Sequence, residues 1–307
     1  MEQSKKKVIV FGGSGFVGSH TADSLTERGY DVTIFDLKES LYLKDSQKMI
    51  IGDILNYNDV LKSISGHKFV YNFSGISDID ECHNNPLETI KYNILGNANV
   101  IKASIEKKAL KYMFASSAYV TSSSGSFYRI SKLSSEQIIE EFSKEFKISY
   151  VLLRYGSLYG ERSDRRNSIY RIIEEALCTN KIEYYGDGGE TREFIHVKDA
   201  ADLSVDALDN KYNGEVLLLS SDEAMKYKEL LETVNEILDK KVKIVIKPST
   251  EETHYRMSPY SFKPITAKKI LKNPHIDLGQ GLLNLIFEIH SKIDRDKLKS
   301  HDLQLKK

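Results

Sequence analysis

The chain of 307 residues predicts an α/β fold, a parallel, doubly wound sheet with a smaller, interleaved C-terminal lobe. Three observations predict it. Short apolar, β-branched runs such as Val8-Ile9-Val10-Phe11 alternate with segments of helical periodicity through the first half of the chain. The first run passes straight into Gly12-Gly13-Ser14-Gly15-Phe16-Val17-Gly18, which opens a helix. Later runs end in small polar residues, Ser74-Gly75 and Ser116-Ser117, at the strand ends where such sheets carry their ligands.

Composition narrows the class. Forty-four basic and 44 acidic residues cancel, which removes the electrostatic footprint of a nucleic-acid binder. No apolar run reaches the ~18 residues a membrane span needs, and the start MEQSKKKVIVF lacks the long apolar stretch of a signal peptide. Cys82 and Cys178 lie far apart without metal-ligand spacing and are expected to be structural thiols. The expectation is a soluble cytoplasmic enzyme without a metal.

Each element then has a job. Gly12 permits the tight turn, Gly15 lets a pyrophosphate approach the backbone, and Gly18 allows helix to pack closely on strand. Phe16 and Val17 begin the helix whose N-terminus faces that pyrophosphate. A second strand, Val32-Thr33-Ile34-Phe35, ends in Asp36. Its carboxylate can accept from both ribose hydroxyls of an adenosine and would repel a 2′-phosphate, so NAD is expected over NADP. Lys38, two residues on, pulls the other way. Met49-Ile50-Ile51 leads to Gly52-Asp53-Ile54, where Asp53 and Ile54 either meet the adenine edge or form an ordinary turn. Phe69 to Phe73 form a fourth strand, and Phe73, Ser74 and Gly75 leave room for a cofactor. Pro86 starts a helix with Leu87, Ile90, Ile94, Ala98, Ile101 and Ile105 at spacings of three and four, interrupted by Asn93 and Gly96.

The fifth strand, Tyr112 to Ala115, delivers Ser116 and Ser117, and Tyr128 follows with Lys132 four places on. On a helix that spacing puts phenol and ammonium on one face. The ammonium favours the phenolate, a serine hydroxyl can bridge phenol and substrate, and together they can take a proton from an alcohol. An alcohol oxidised in this way needs a hydride acceptor, hence a nicotinamide cofactor. Among 18 tyrosines one such pair is within chance, so its weight rests on the glycine turn and Asp36.

Taken in order, GGSGFVG, Asp36, Gly52-Asp53-Ile54, NPLETIKYNILGNANVIKA, SSAYV, YRISK, LRYGSLYG and GDGGETREFIHVKDAA resemble the extended short-chain dehydrogenase/reductase family, in particular its nucleotide-sugar epimerases and dehydratases. The resemblance runs from about Lys6 to Leu283. It implies a Rossmann-like sheet with NAD, and a nucleotide-diphosphate sugar as substrate. Ser117, rather than Ser116, matches the catalytic serine or threonine, Tyr128 the base, and Lys132 the lysine that also holds the nicotinamide ribose. Tyr155 falls near the nicotinamide. Ser77, Asp78, Tyr119 and Ser157 fall where the sugar and diphosphate are expected, and Arg192 matches the arginine that grips the diphosphate, a task suited to a guanidinium fork. His254-Tyr255-Arg256 matches only loosely as a further substrate contact. The implied units are 1–160 with 194–221 for the NAD-binding domain, 161–193 and 222–290 for the substrate lobe, and a charged tail at 291–307. The helices after Pro86 and from Tyr128 resemble the pair through which the family forms homodimers.

Departures from the pattern matter. Ser157 stands where asparagine is common, and Glu193 where aspartate is. Eleven residues separate Ser117 from Tyr128, a short connection that either opens the sugar pocket or is a trimmed loop. The family's dehydratases place Asp-Glu just after the catalytic serine or threonine, where this chain has Ala118-Tyr119. Dehydration is therefore not expected. Oxidation at C4 is, completed as a 4-epimerisation or ended as a 4-dehydrogenation with the reduced cofactor retained. A non-catalytic NAD sensor ranks below both, because serine, tyrosine and lysine are all present.

Overall fold

A computed structural model describes residues 6–248, 256 and 267–305, the last nine of these as backbone only. Strand β1 (Lys7–Phe11) leads into α1 (Phe16–Glu27), then β2 (Asp31–Asp36), β3 (Lys48–Ile51), α2 (Tyr57–Ser63) and β4 (Phe69–Asn72). After α3 (Ile79–Asn84), α4 (Pro86–Thr89) runs through a π-helical turn (Ile90–Gly96) into α5 (Asn97–Glu106). Then come β5 (Lys111–Ser117), α6 (Ser126–Phe146), β6 (Ser149–Tyr155) and β7 (Ser157–Tyr159). The lobe begins with α7 (Ser168–Thr179), β8 (Lys181–Tyr185) and β9 (Thr191–Arg192). The chain returns through β10 (Phe194–His196), α8 (Val197–Asp206) and β11 (Glu215–Leu219), and re-enters the lobe with β12 (Met225–Lys226), α9 (Tyr227–Ile237) and β13 (Lys243–Lys247). It closes with β14 (Lys268–Ile270) and α10 (Leu278–Leu305).

The predicted doubly wound sheet is present, eight strands in the order β14-β11-β6-β5-β4-β1-β2-β3, with parallel pairing throughout. Helices cover both of its faces, so its strands are apolar on both. Val8 and Val10 join Ala22 and Leu25 of α1 and Ala200 and Leu203 of α8. Ile9 and Phe11 join Val60 of α2, Val100 of α5 and Ile139 of α6. Each fully buried side chain of this size contributes roughly 1.5–3 kcal/mol relative to exposure. A third core, with Ile169, Ile173, Leu230, Val234, Leu282 and Ile289, belongs to α7, α9 and α10.

One segment differs from expectation. Lys268–Ile270, read as part of the lobe, pairs with Leu217–Leu219 and forms an edge of the main sheet. Its Lys-Lys-Ile sequence suits an edge, where charge discourages further pairing. The charged segment after His290, read as a frayed charged helix or tail, is helix and continues α10 as far as Leu305. Its register is set upstream by Leu282, Leu285 and Ile289, which are buried in the lobe core.

Candidate active site

Strand order reverses between β1 and β4, and the crevice at their carboxyl ends is where a doubly wound sheet binds its ligand. Here the loops after the two strands touch. Gly12 adopts φ +72°, and a Cβ on it would lie 2.6 Å from Ser74 N. A Cβ on Gly18 would lie 2.2 Å from Gly12 O, so this glycine lets α1 close on the loop itself, not on a strand. Gly15 precedes α1 with extended backbone and no side-chain cap, which leaves the amides of Phe16 and Val17 directed at the crevice. A cleft of about 2250 Å³ opens from this point and reaches the lobe.

Asp36 ends β2 at the wall of this cleft. Its Oδ2 accepts from Ser14 N–H at 2.9 Å and its Oδ1 from Leu37 N–H at 2.8 Å. Both oxygens keep a lone pair for hydroxyl donors. Asp53 behaves differently: it accepts from Leu55 N–H at 2.9 Å, and the cleft wall takes in its neighbours Gly52 and Ile54 without it. Phe73, Ser74, Gly75, Ser77 and Asp78 line the cleft, Asp78 also capping α3 through Glu81 N–H at 2.8 Å. The glycine cradle, the uncapped helix and the strand-end carboxylate together fit NAD.

The chemistry-bearing residues converge on the middle of the cleft. Ser116 is committed elsewhere, its hydroxyl donating to Glu136 at 2.6 Å. Ser117 caps the turn that follows, accepting from Tyr119 N–H at 3.2 Å, and lines the cleft with Tyr128 and Lys132. The short connection to α6 is closed by two successive left-handed residues, Gly125 at φ +102° and Ser126 at φ +47°. The Tyr119 ring fills the space beside Gly125, where a Cβ would lie 2.7 Å from it, and meets Tyr128 edge-on at 6.2 Å. Lys132 is buried, donates to Ala115 O at 2.8 Å and stands 5.9 Å from the centre of the Tyr128 ring. Burial drives its ammonium down to about 8, opposed by Cys82 and the charge of Glu136. Tyr155 contributes its ring beside Phe73, 6.3 Å between centres, while its hydroxyl bonds Ser204 at 2.7 Å.

At the lobe end, Arg192 is buried, donates to Thr191 O at 2.9 Å and lies 5.5 Å from the centre of the Tyr227 ring. Tyr227 stacks on Tyr184 at 5.0 Å. Ser157 lines the cleft from β7, and Glu193 accepts from Ser220 at 2.8 Å and from Lys269 of β14 at 2.7 Å. Of the loosely matched triplet, His254 and Tyr255 lie outside the described residues, while Arg256 lines the cleft and pairs with Asp187.

Two residues were not singled out as site residues by the sequence reading. Asn93, buried in the π-helical turn, accepts from Ile76 N–H at 2.7 Å and donates to Ile76 O and to Ser131 Oγ, both at 2.9 Å. It ties the cofactor-side loop to α6, and its signal was a polar residue breaking an apolar period. Asn167 caps α7 through Ile169 N–H at 3.0 Å and donates to Leu158 O at 2.8 Å. It lines the cleft, and nothing but a helix-start signal marked it.

The chain is similar to several known proteins. It is 28% identical over 318 residues to the UDP-N-acetyl-alpha-D-glucosaminuronate decarboxylase of Bacillus cytotoxicus, covering 92% of this chain and 97% of the relative. The UDP-glucose 4-epimerase of Thermotoga maritima, solved with UDP-glucose, shares the fold with a TM-score of 0.81 at 21% identity, covering 94% and 99%. The UDP-glucuronic acid 4-epimerase of Bacillus cereus, solved with UDP-glucuronic acid and NAD, gives 0.80 at 23% identity, covering 93% and 99%. With residues 8–219 matching its profile over a glycine cradle, strand-end carboxylate and Ser-Tyr-Lys group in the places described, the chain belongs to the NAD dependent epimerase/dehydratase family.

Proposed function

We propose that the protein oxidises C4 of the sugar in a UDP-sugar and restores it with inverted configuration, as a 4-epimerase. The observation that carries this reading is the convergence of Ser117, Tyr128 and Lys132 on the cleft, with Ala118 buried and Tyr119 packed against Tyr128 where a dehydratase needs two carboxylates. Ser117 orients O4. Tyr128 takes its proton as general base, and Lys132 favours the phenolate. NAD, when bound, supplies the acceptor and then the donor of the C4 hydride. The ketone turns over in the cleft, Tyr128 returns the proton, and the product differs from the substrate only at C4. Arg192 anchors the diphosphate during that turn, as the guanidinium fork suits.

Decarboxylation is the second reading, favoured by the Bacillus cytotoxicus relative. In a 4-keto uronate the C6 carboxylate is β to the ketone, so CO₂ leaves without help from a protein carboxylate. Incubation with UDP-glucose, UDP-N-acetylglucosamine and UDP-glucuronate, each alone in deuterated water, tests both. The expected product is the C4 epimer, with no deuterium at C5, no CO₂ and no build-up of reduced nicotinamide. One equivalent of reduced nicotinamide that then stops indicates a 4-dehydrogenase, and CO₂ from the uronate a decarboxylase. A 6-deoxy-4-keto product overturns the assignment of Ala118 and Tyr119.

The protein is further proposed to act as a homodimer. Leu87, Ile90 and Leu95 on the helix after Pro86 and Phe127 and Ile130 on α6 are exposed, and those two helices pack against each other, which supports a shared apolar face. Leu133, Ile138 and Phe142 of α6 are half-buried against their own chain and contribute less. A monomer mass by light scattering removes this part.

A further inference from the structure

Behind the reacting groups lies a buried ionic cluster that the proposed reaction leaves unused. Glu136 follows Lys132 by one helical turn, as Lys132 follows Tyr128, so the three share the face of α6 that meets the sheet. Its Oε1 accepts from Ser116 Oγ at 2.6 Å and from Arg154 Nε at 2.9 Å, and its Oε2 from Arg154 Nη2 at 2.7 Å. Ser116 and Arg154 are register partners on β5 and β6, and the next pair along is Ser117 with Tyr155. Ser116 and Glu136 are 3% exposed and Arg154 8%.

A buried ion pair is a poor source of stability, because desolvating both charges offsets most of their attraction and an apolar pair serves as well. What a forked pair provides and an apolar one does not is a single register. Lys132 donates to Ala115 O one residue before Ser116, so α6 is pinned to consecutive residues of β5 immediately ahead of Ser117. We propose that Glu136, clamped by Arg154 and Ser116, is a positioning residue that holds α6 against β5 so that Tyr128 and Ser117 address the same substrate oxygen. The inference rests on the reading of Ser117, Tyr128 and Lys132 as the reacting groups.

A second consequence concerns Lys132. The groups facing it are Tyr128 and Glu136 of α6, Cys82 of α3, and the Phe114 ring and Ala115 carbonyl of β5, with Arg154 of β6 behind Glu136. Glu136 is the nearby full negative charge among them and opposes the effect of burial on the ammonium.

Because Glu136→Gln leaves the Arg154 cation buried without its partner and can fail to fold, the deciding variant is the pair Glu136→Leu with Arg154→Met. It should remain folded by thermal melting. Its kcat on UDP-glucose should fall about 10- to 100-fold with KM little changed, the size expected when reacting groups are displaced by about an ångström. NAD affinity, measured by calorimetry against pH, should decline with rising pH near 8 in the wild type, where Lys132 loses its charge, and at lower pH in the pair. That measurement needs no turnover, so a wild type inactive on every UDP-sugar breaks the proposed reaction and still leaves the anchor testable. A folded pair with wild-type kcat and an unmoved pH profile overturns the proposal. So does a loss of kcat that tracks the unfolded fraction alone.

Discussion

At the cofactor end of the cleft the working groups are backbone: Gly12 in a left-handed turn, Gly18 against a carbonyl, and the uncapped amides at the start of α1. At the lobe end they are side chains brought together from distant segments: Arg192 over Tyr227, Tyr227 on Tyr184, and Asn167 holding Leu158. The difference is one of tolerance. A backbone cradle admits no substituent at its contact points, whereas a side-chain wall can change its ligand by exchange of residues. A cofactor that stays the same and substrates that vary call for these two constructions.

The largest effect should come where the two ends meet. Tyr128→Phe removes the base and should lower turnover by about 10²- to 10⁴-fold while leaving NAD and UDP-sugar binding in place. Near-normal turnover would show that another group takes the proton. Next in size are two substitutions that separate the ends. Gly18→Ala sets a Cβ 2.2 Å from Gly12 O, and neither partner is a flexible side chain, so roughly 1–3 kcal/mol of overpacking should fall on NAD binding and little on the UDP-sugar. Arg192→Ala should do the reverse. Loss of charge-assisted bonds worth about 1.5–3 kcal/mol raises the UDP-sugar dissociation constant roughly 10- to 100-fold and leaves NAD untouched. Calorimetry of both ligands against both variants decides it, and a Gly18→Ala protein that loses the two ligands equally blurs the comparison. The smallest effect belongs to Asp36→Ala, which removes two acceptors and one repulsive charge. NAD preference over NADP should narrow by about tenfold, and a wild type that binds NADP more tightly refutes the role given to this carboxylate.

The sheet and the crevice at its carboxyl ends were legible because their signals are local. A strand feeding a glycine turn, a strand ending in aspartate, and a tyrosine one turn from a lysine each lie within a few residues, and each constrains the backbone wherever it occurs. Ser116 and Ser117, adjacent in sequence and told apart there only by resemblance, needed the fold. Both touch the cleft wall, but alternation along β5 turns the Ser116 hydroxyl toward Glu136, while that of Ser117 stays with the turn that follows. Asp53 likewise divides between two roles in sequence; its bond from Leu55 N–H is a local turn contact, and only the fold shows that Gly52 and Ile54 reach the cleft wall without it. Lys268–Ile270 as a sheet strand, the π-helical turn that places Asn93, and the Glu136–Arg154 pair all depend on partners 17 or more residues away. Pattern within a segment reports which backbone conformation is cheapest. Which buried donor meets which acceptor is decided only when segments dock, because desolvation penalises every polar group that docking leaves without a partner.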